Sequence, residues 1–261
     1  MSVRDDIKKQ HKKIQKKGFK ASLSYFWDYY KFHTAAVIIG ILFLAFLIRD
    51  VVLSKPYGFY ATLLNETFSA DAQKIQDEFA EYAKIDTSKY EVYIDTSMSI
   101  NMSAPSQFDL ANQQKIMAVV ASSEMDVLVS DYKMFKTYAE NSYMADLSTI
   151  MSSDKLEKFK DKIYYIDQAV IDEKDKEKFN TSSESTSTKE QDNISDDDQK
   201  FILPDPSNMK KPVPVGIVVD NAGYFVKNNT YAATTPIYGI IGNSKNTDKA
   251  LAFLDFIYDK K

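Results

Sequence analysis

The longest apolar stretch of the chain lies near its N-terminus. Residues 32–48 (FHTAAVIIGILFLAFLI) carry no formal charge over 17 positions, and a helix of that length spans roughly 25 Å at about 1.5 Å per residue. The apolar pattern resumes after Arg49 and Asp50 with residues 51–53. A core helix of a soluble protein is amphipathic or shorter, whereas this stretch is apolar on every side. It therefore predicts a single transmembrane helix over residues 32–53.

The residues before this helix predict its direction in the membrane. An aromatic cluster over residues 25–31 (YFWDYYK) is typical of an interfacial anchor, and residues 8–20 (KKQHKKIQKKGFK) are rich in lysine. Because positive charge concentrates on the cytoplasmic side of a span, we expect residues 1–31 to form a basic cytoplasmic tail and residues 57–261 to be extracellular. Roughly thirty residues precede the apolar stretch and no A-x-A site follows it, which favours an uncleaved cell-membrane anchor over a cleaved signal peptide.

From residue 57 onward, strand-like and helix-like blocks alternate, which is the signature of an α/β domain. The continuously apolar MDVLVS (residues 125–130) is typical of a strand inside a parallel sheet. The pattern predicts a three-layer domain with a parallel or mixed sheet and flanking helices. The predicted strands are residues 57–65, 90–98, 125–130, 212–220 and 236–242, and the predicted helices are a segment capped by Ser69, residues 106–123, 131–141 and 154–162, and a last helix capped near Asn246 or Thr247.

Apolar residues at steps of three and four predict which face of each helix is buried. The expected buried stripes are Ala72, Ile75, Phe79 and Tyr82 in the first helix, Leu110, Met117 and Val120 in the second, and Ala250, Phe253, Leu254 and Ile257 in the last.

Residues 172–200 differ from the rest of this domain. Phe179 and Ile194 are their only large apolar side chains, and such a composition cannot offset the entropy of ordering the chain. We therefore predict a disordered acidic insertion. Asp196, Asp197 and Asp198 raise the alternative of a calcium loop, but the acids are consecutive and no glycine supplies the turn of an EF-hand, so a solvated loop is favoured.

The net charge of −4 conceals a division along the chain. Residues 1–31 carry nine Lys/Arg against three Asp/Glu, whereas residues 50–261 carry 23 against 34. Lysine runs also bind nucleic acid, but beside a membrane span the anionic lipid bilayer is the nearer partner, so no nucleic acid is expected. The chain has no cysteine, which excludes disulfides, a thiol-linked lipid anchor, and cysteine-based zinc or nucleophile sites.

Two stretches resemble the extracellular solute-binding proteins of ABC importers. Residues 125–147 (MDVLVSDYKMFKTYAENSYMADL) are similar to a segment in which a core strand reads DVLV-x-D, a helix follows, and ADL begins the next section. Residues 238–259 (YGIIGNSKNTDKALAFLDFIYD) are similar to a strand, an NS-x-N turn and a helix reading A-x-x-FLDF-x-Y. The resemblance implies a periplasmic-binding-protein-like lobe. Since family members close two lobes on a ligand and are considerably longer, it implies a reduced, membrane-anchored form here.

The residue types needed for several kinds of catalysis are missing from the predicted outer domain. The two histidines, His11 and His33, lie in the tail and at the membrane boundary, which excludes a Ser-His-Asp triad and a histidine zinc site from that domain. Two S-x-x-K patterns, from Ser152 and from Ser207, lack the companion K-T-G of serine-lysine enzymes. Neither a P-loop nor a G-x-G-x-x-G pattern occurs. We expect a non-catalytic protein with no cofactor and no metal.

If the domain has a small-ligand site, it should lie beyond the carboxyl ends of the parallel strands. The candidate residues there each have an alternative interpretation as a helix cap or turn former. Ser130 and Asp131 are the strongest pair, because they end the most apolar strand and open a helix whose N–H groups can face a ligand. The candidates are Asn65, Asp95, Thr96, Ser130, Asp131, Asp220 and Asn221.

Three functions remain open from the sequence. The first is a membrane-tethered extracytoplasmic binding or accessory module that holds a small solute or a partner such as an ABC permease or another membrane protein. The second is an envelope structural or assembly protein that makes only protein contacts. The third is a hydrolase that uses Asp95 and Asp131 as paired carboxylates, although no spacing argument brings these two together.

Overall fold

A computed structural model describes residues 19–66, 71–181, 201–232 and 234–259. The chain divides into two compact units, Met1–Lys55 and Pro56–Lys261. The first contains helix α1 (Phe19–Leu53). The elements of the second are β1 (Tyr57–Leu63), α2 (Ala72–Tyr82), β2 (Glu91–Asp95), α3 (Gln107–Ala121), β3 (Val127–Asp131), α4 (Tyr132–Glu140), α5 (Leu147–Ile150), α6 (Ser153–Lys158), β4 (Ile163–Asp167), α7 (Gln168–Thr181), β5 (Pro212–Val218), α8 (Gly223–Asn228), β6 (Pro236–Ile240) and α9 (Thr247–Asp259).

Helix α1 contains the predicted apolar span. The segment Tyr30–Arg49 has 20 residues and a mean hydropathy of 2.2, and none of its most apolar window is buried in the structure. By length and composition this segment can cross a membrane. The helix is continuous from Phe19, so the aromatic cluster before the span belongs to the same helix.

The second unit is built on a six-stranded mixed sheet with the order β2-β1-β3-β6-β5-β4. β1 pairs in parallel with both β2 and β3, whereas β6 is antiparallel to β3 and β5, and β4 is antiparallel to β5. The predicted α/β class and mixed sheet are confirmed. β3, expected inside a parallel sheet, has one parallel and one antiparallel neighbour.

Helices cover both faces of this sheet. Alternation along β1 sends Phe59, Ala61 and Leu63 into one apolar core and Tyr60 and Leu64 into the other, as strand geometry requires. The first core is completed by side chains from α2, α8 and α9, and the second by side chains from α3, α4 and α7. The result is a helix–sheet–helix arrangement in three layers. In α9 the predicted buried stripe is confirmed, because Ala250, Phe253, Leu254 and Ile257 are all fully buried.

The predicted buried face of α3 is wrong. Val120 is buried, but Leu110 is 52% exposed and Met117 is 48% exposed, and the side chains that face the sheet are Asp109, Ile116 and Val120. Asp109 is buried because it completes a capping box with Ser106, in which each side chain binds the backbone N–H of the other. The helix is apolar on both sides, so periodicity alone pointed to the wrong one.

Residues 172–181, which were predicted to be part of the disordered insertion, belong to α7. Ile171 is buried in the second core and fixes the helix against the sheet. The carboxylate of Asp167 accepts a hydrogen bond from the backbone N–H of Ala169 at the start of the helix, and Lys211 pairs with Asp172 at 3.7 Å. The core contacts of Ile171 and the pair with Lys211 come from distant segments, which a composition argument does not include. Residues 182–200, with Asp196, Asp197 and Asp198, lie outside the described residues.

The N-cap of α2 is Asp71, whose side chain accepts a hydrogen bond from the backbone N–H of Lys74 at 3.2 Å. Asp71 is suited to this position because its carboxylate satisfies a free N–H group of the first turn. The sequence predicted Ser69 for this role, and Ser69 lies outside the described residues.

Candidate functional site

The carboxyl ends of β1 and β3 form the topological switch point of the sheet. α2, which follows β1, packs on one face, and α4, which follows β3, packs on the other. In open α/β sheets a ligand crevice lies at such a point. Two predicted residues meet here: Nδ2 of Asn65 donates a 2.6 Å hydrogen bond to Oδ2 of Asp131.

Asn65 also stabilises the backbone around it. It adopts a left-handed backbone conformation with φ of 59°, which asparagine tolerates better than most residues. Its amide also joins the segment after β2, because the N–H of Ile100 donates to Oδ1 at 2.7 Å and Nδ2 donates to the carbonyl of Ile100 at 3.1 Å. Asn65 therefore ties together the segments that follow β1, β2 and β3.

Asp131 occupies the N-terminus of α4. Its Oδ1 accepts hydrogen bonds from the backbone N–H groups of Lys133 at 3.0 Å and Met134 at 3.2 Å. These are the groups that the sequence analysis offered to a ligand, and here the cap satisfies them. The hydroxyl of Ser130 is buried and donates to the carbonyl of Asp131 at 3.2 Å.

Tyr231, in the loop after α8, reaches the same strand ends. Its hydroxyl lies 3.2 Å from the carbonyl oxygen of Leu64 and 3.1 Å from that of Val129, so it donates to the ends of β1 and β3. Burial, together with the nearby carboxylates of Glu66 and Asp131, raises the pKa of Tyr231 well above its ordinary value. The phenol therefore remains a donor at physiological pH. Tyr231 was not predicted from the sequence, since nothing in the local pattern places it beside Leu64 and Val129.

Asp95 lies at the end of β2 in a separate network. Its carboxylate is buried and forms a 2.8 Å ion pair with Lys115 of α3, while Ser97 donates to it through both its N–H and its hydroxyl. Burial alone raises the pKa of Asp95, but the hydrogen bonds from Lys115 and Ser97 outweigh burial, and the pKa lies below its usual value. Thr96, half-buried, follows directly. Among the described residues no hydrogen bond or ion pair joins Asp95 to Asp131.

Asp220 and Asn221, which follow β5, bind the ammonium group of Lys162. Nζ of Lys162 lies 2.9 Å from Oδ1 of Asp220 and also donates to Oδ1 of Asn221. Lys162 immediately precedes β4, so this contact links β4 to the end of β5. Asp220 and Asn221 thus lie in the turn after β5, as one alternative from the sequence has it, and they also hold neighbouring segments together.

A buried carboxylate that the sequence analysis did not single out lies at the opposite end of β3. Asp126 is fully buried and accepts hydrogen bonds from the N–H of Tyr60 at 3.0 Å, the hydroxyl of Ser244 at 2.6 Å and the amide of Asn246. Burial raises its pKa even though these hydrogen bonds lower it. Ser244 and Asn246 belong to the NS-x-N turn, so Asp126 supplies a physical role for that motif: it fixes the turn that leads into α9.

The outer side of α3 is exposed and almost uncharged. From Thr96 to Ser123 the only charged residues are Asp109, which caps the helix, and Lys115, which pairs with Asp95, although charged residues make up 27% of the chain. Phe108 is 62% exposed, and Leu110 and Met117 are about half exposed. The exposed side of a surface helix is normally polar or charged. Here one side has no cover within the described domain.

A surface groove of about 500 Å³ runs beside the C-terminal half of this helix. Met117, Val120 and Ala121 line one wall, and Ser142, Tyr143 and Asn243 line the other. The groove and the exposed apolar residues of α3 are therefore continuous through Met117.

Groups of three or more His, Cys, Asp or Glu side chains that could hold a metal ion do not occur within the described ranges. Comparisons with protein-family models, with curated proteins and with solved structures found no match for this chain.

Proposed function

We propose that the chain is a membrane-anchored, non-catalytic accessory module whose α/β domain lies outside the cell and acts by binding another protein through α3. The single observation that carries this proposal is the exposed, nearly uncharged outer side of α3. Exposed large apolar side chains that lie on one side of a helix, here Leu110 and Met117, mark contact sites on soluble domains. The outer side of α3 is also depleted of charge, as the cores of protein interfaces are.

The polar groups at the switch point support protein binding over the capture of a solute. Asn65 donates to Asp131, Asp131 also accepts from the first N–H groups of α4, and Tyr231 donates to the carbonyl oxygens of Leu64 and Val129. A small polar solute would have to replace these contacts within the chain, and doing so leaves buried donors and acceptors to be satisfied again. The outer side of α3 needs no such rearrangement.

The anchor and its direction are part of the same proposal. α1 contains a segment long and apolar enough to span a bilayer, and lysines precede it. The absence of cysteine allows a direct test, because a single introduced thiol is unique. In intact cells, a membrane-impermeant maleimide should label Val226→Cys, which replaces a side chain that is 63% exposed, and should not label Ser2→Cys. The reverse labelling would overturn the proposed direction.

Protein binding is tested by photo-crosslinking in the native membrane. A benzophenone amino acid at Leu110 or Met117 should give discrete crosslinked protein adducts, whereas the same group at Val226 on α8 should not. In parallel, purified full-length protein is heated with a panel of sugars, amino acids and peptides. A rise in melting temperature with a small compound, without adducts at α3, would favour the solute-binding function and count against this one.

A further inference from the structure

We infer that the protein bound by α3 is a second copy of this chain, which pairs with the first through an antiparallel contact between the two α3 helices. This inference rests on the proposed function and identifies the partner. The exposed residues of α3 have a regular spacing. Leu110, Gln114, Met117 and Ala121 are all exposed and are separated by four, three and four residues. That is the spacing of a helix–helix seam, with knobs on one side of the helix.

Side-chain size makes the seam complementary to itself. When two α3 helices pair in opposite directions, Leu110 of one copy faces Ala121 of the other, and Gln114 faces Met117. Each large residue thus meets a smaller or flexible one, as packing without voids requires. A parallel pair would place Ala121 opposite Ala121 and leave a gap. The groove beside Met117, Val120 and Ala121 offers Leu110 of the second copy a place to pack.

The charge of the domain also favours this surface for self-association. Residues 50–261 carry 23 Lys/Arg against 34 Asp/Glu, so two copies repel each other over much of their surface. On α3 this repulsion is absent, because Asp109 is buried in its capping box and Lys115 is neutralised by Asp95. A positively charged partner would gain little electrostatic attraction at an uncharged helix. An identical uncharged helix meets no electrostatic repulsion there.

Anchoring reduces the contact area that such a pair needs. One helix face is smaller than the roughly 800 Å² per partner of a standard stable interface. Two copies anchored in one membrane meet at a raised effective concentration, which strengthens a weak contact without any further surface. The expected pair is therefore stable in the membrane and weak for the domain alone.

Disulfide and short-linker crosslinking of the full-length protein in its membrane tests the pairing. A helix rises about 1.5 Å per residue, so the two Gln114 residues lie close to the two-fold axis, while the two Leu110 residues lie roughly 16 Å apart along the direction of the helices. Gln114→Cys should therefore form crosslinked dimers with itself. Leu110→Cys and Ala121→Cys should crosslink poorly alone and strongly with each other when two tagged forms are co-expressed. Phe108→Cys, equally exposed but on the other flank of the helix, is the matched control.

A second pair of variants separates loss of contact from loss of folding. Leu110→Lys places a charge in the seam and should lower the crosslinked fraction of the Gln114→Cys protein about tenfold. Phe108→Lys adds the same charge off the seam and should leave it unchanged. Crosslinks of Leu110 to Leu110, or no dimers at all, would overturn the antiparallel pair. If the only adducts at α3 contain a different protein, the second copy is ruled out while the proposed protein-binding function stands.

Discussion

The ring of Phe135 lies directly against the backbone of Gly239. A Cβ atom at Gly239 would come within 2.6 Å of the ring, and one at Gly216, in the neighbouring strand β5, within 2.5 Å. Phe135 is fully buried in the core beneath α4. The two glycines therefore form a flat site on the sheet that only a residue without a side chain can provide.

Replacing either glycine tests this packing. Gly239→Ala and Gly216→Ala should each destabilise the protein by about 1–3 kcal/mol, because the ring cannot move away within a close-packed core. Chemical unfolding of the protein in detergent measures the change. Gly242→Ala is the control, since its new Cβ would meet its nearest neighbour at an ordinary 3.5 Å. Equal effects at Gly239 and Gly242 would contradict the role of the ring.

The switch-point asparagine carries both a strained backbone and several hydrogen bonds. Asn65→Ala should cost about 2–3 kcal/mol, because alanine loses the bonds to Asp131 and Ile100 and resists a positive φ. Asn65→Gly removes the same bonds but accepts the backbone conformation, so it should cost less than the alanine variant. An alanine variant as stable as the wild type would show that these bonds contribute nothing.

The ion pair between Asp95 and Lys115 predicts a dependence of stability on pH. The pKa of Asp95 is lower in the folded protein than in the unfolded chain, so its contribution is present above about pH 4 and is lost as the pH falls through the folded value. Lys115→Met should cost about 1–2 kcal/mol at neutral pH, a range that allows for the half-exposed ammonium group. The difference from wild type should shrink in acid.

Lys136→Met supplies the comparison for this variant. Lys136 and Glu140 form a longer surface pair of 3.8 Å, and such pairs contribute little. Urea unfolding at several pH values should therefore show almost no change for Lys136→Met. A pH-independent loss for Lys115→Met would mean that packing of the lysine stem, rather than the charge of Asp95, explains its effect.

Asp126 should respond to pH in the opposite direction. Burial raises its pKa above the unfolded value, so the folded protein binds a proton more tightly and stability falls as the pH rises from about 4 through the folded pKa. Asp126→Asn should remove this slope. The free energy of unfolding of the variant should also be lower by about 1–3 kcal/mol at neutral pH. The new amide N–H₂ would face N–H and hydroxyl groups whose hydrogen bonds the carboxylate now accepts. If the dependence of stability on pH is unchanged in Asp126→Asn, other groups cause it.

Local patterns explain how much of the fold could be predicted. α9 has one apolar stripe, so its buried residues were predicted correctly. Five of the six strands of the sheet coincide with predicted apolar blocks, but β4 (Ile163–Asp167) was not predicted. α3 is apolar on both sides, and no local rule selects Ile116 over Met117 for the core. The position of β6 between β3 and β5 depends on pairing between segments far apart in sequence. α7 is likewise fixed by contacts with distant residues.

The candidate site was predicted in part for the same reason. Strand ends can be recognised locally, and two of the residues named from them, Asn65 and Asp131, are joined by a hydrogen bond at the ends of β1 and β3. Their partners cannot be recognised in this way, because Tyr231 lies 167 residues from Leu64 in the chain. Lys115 could have been recognised from the sequence, because it is the sole cation between Thr96 and Ser123. A buried carboxylate at the end of the preceding strand, here Asp95, requires a cation as its partner.

The central place of β6 has a consequence for biosynthesis. The ribosome makes β6 last of the six strands, yet it separates β3 from β5 in the finished sheet. Until residues 236–240 emerge, both of those strands present open edges to other nascent chains and to chaperones. A truncation that removes the last 30 residues would therefore leave two unjoined halves and expose the protein to degradation, even though most of its strands would already have been made.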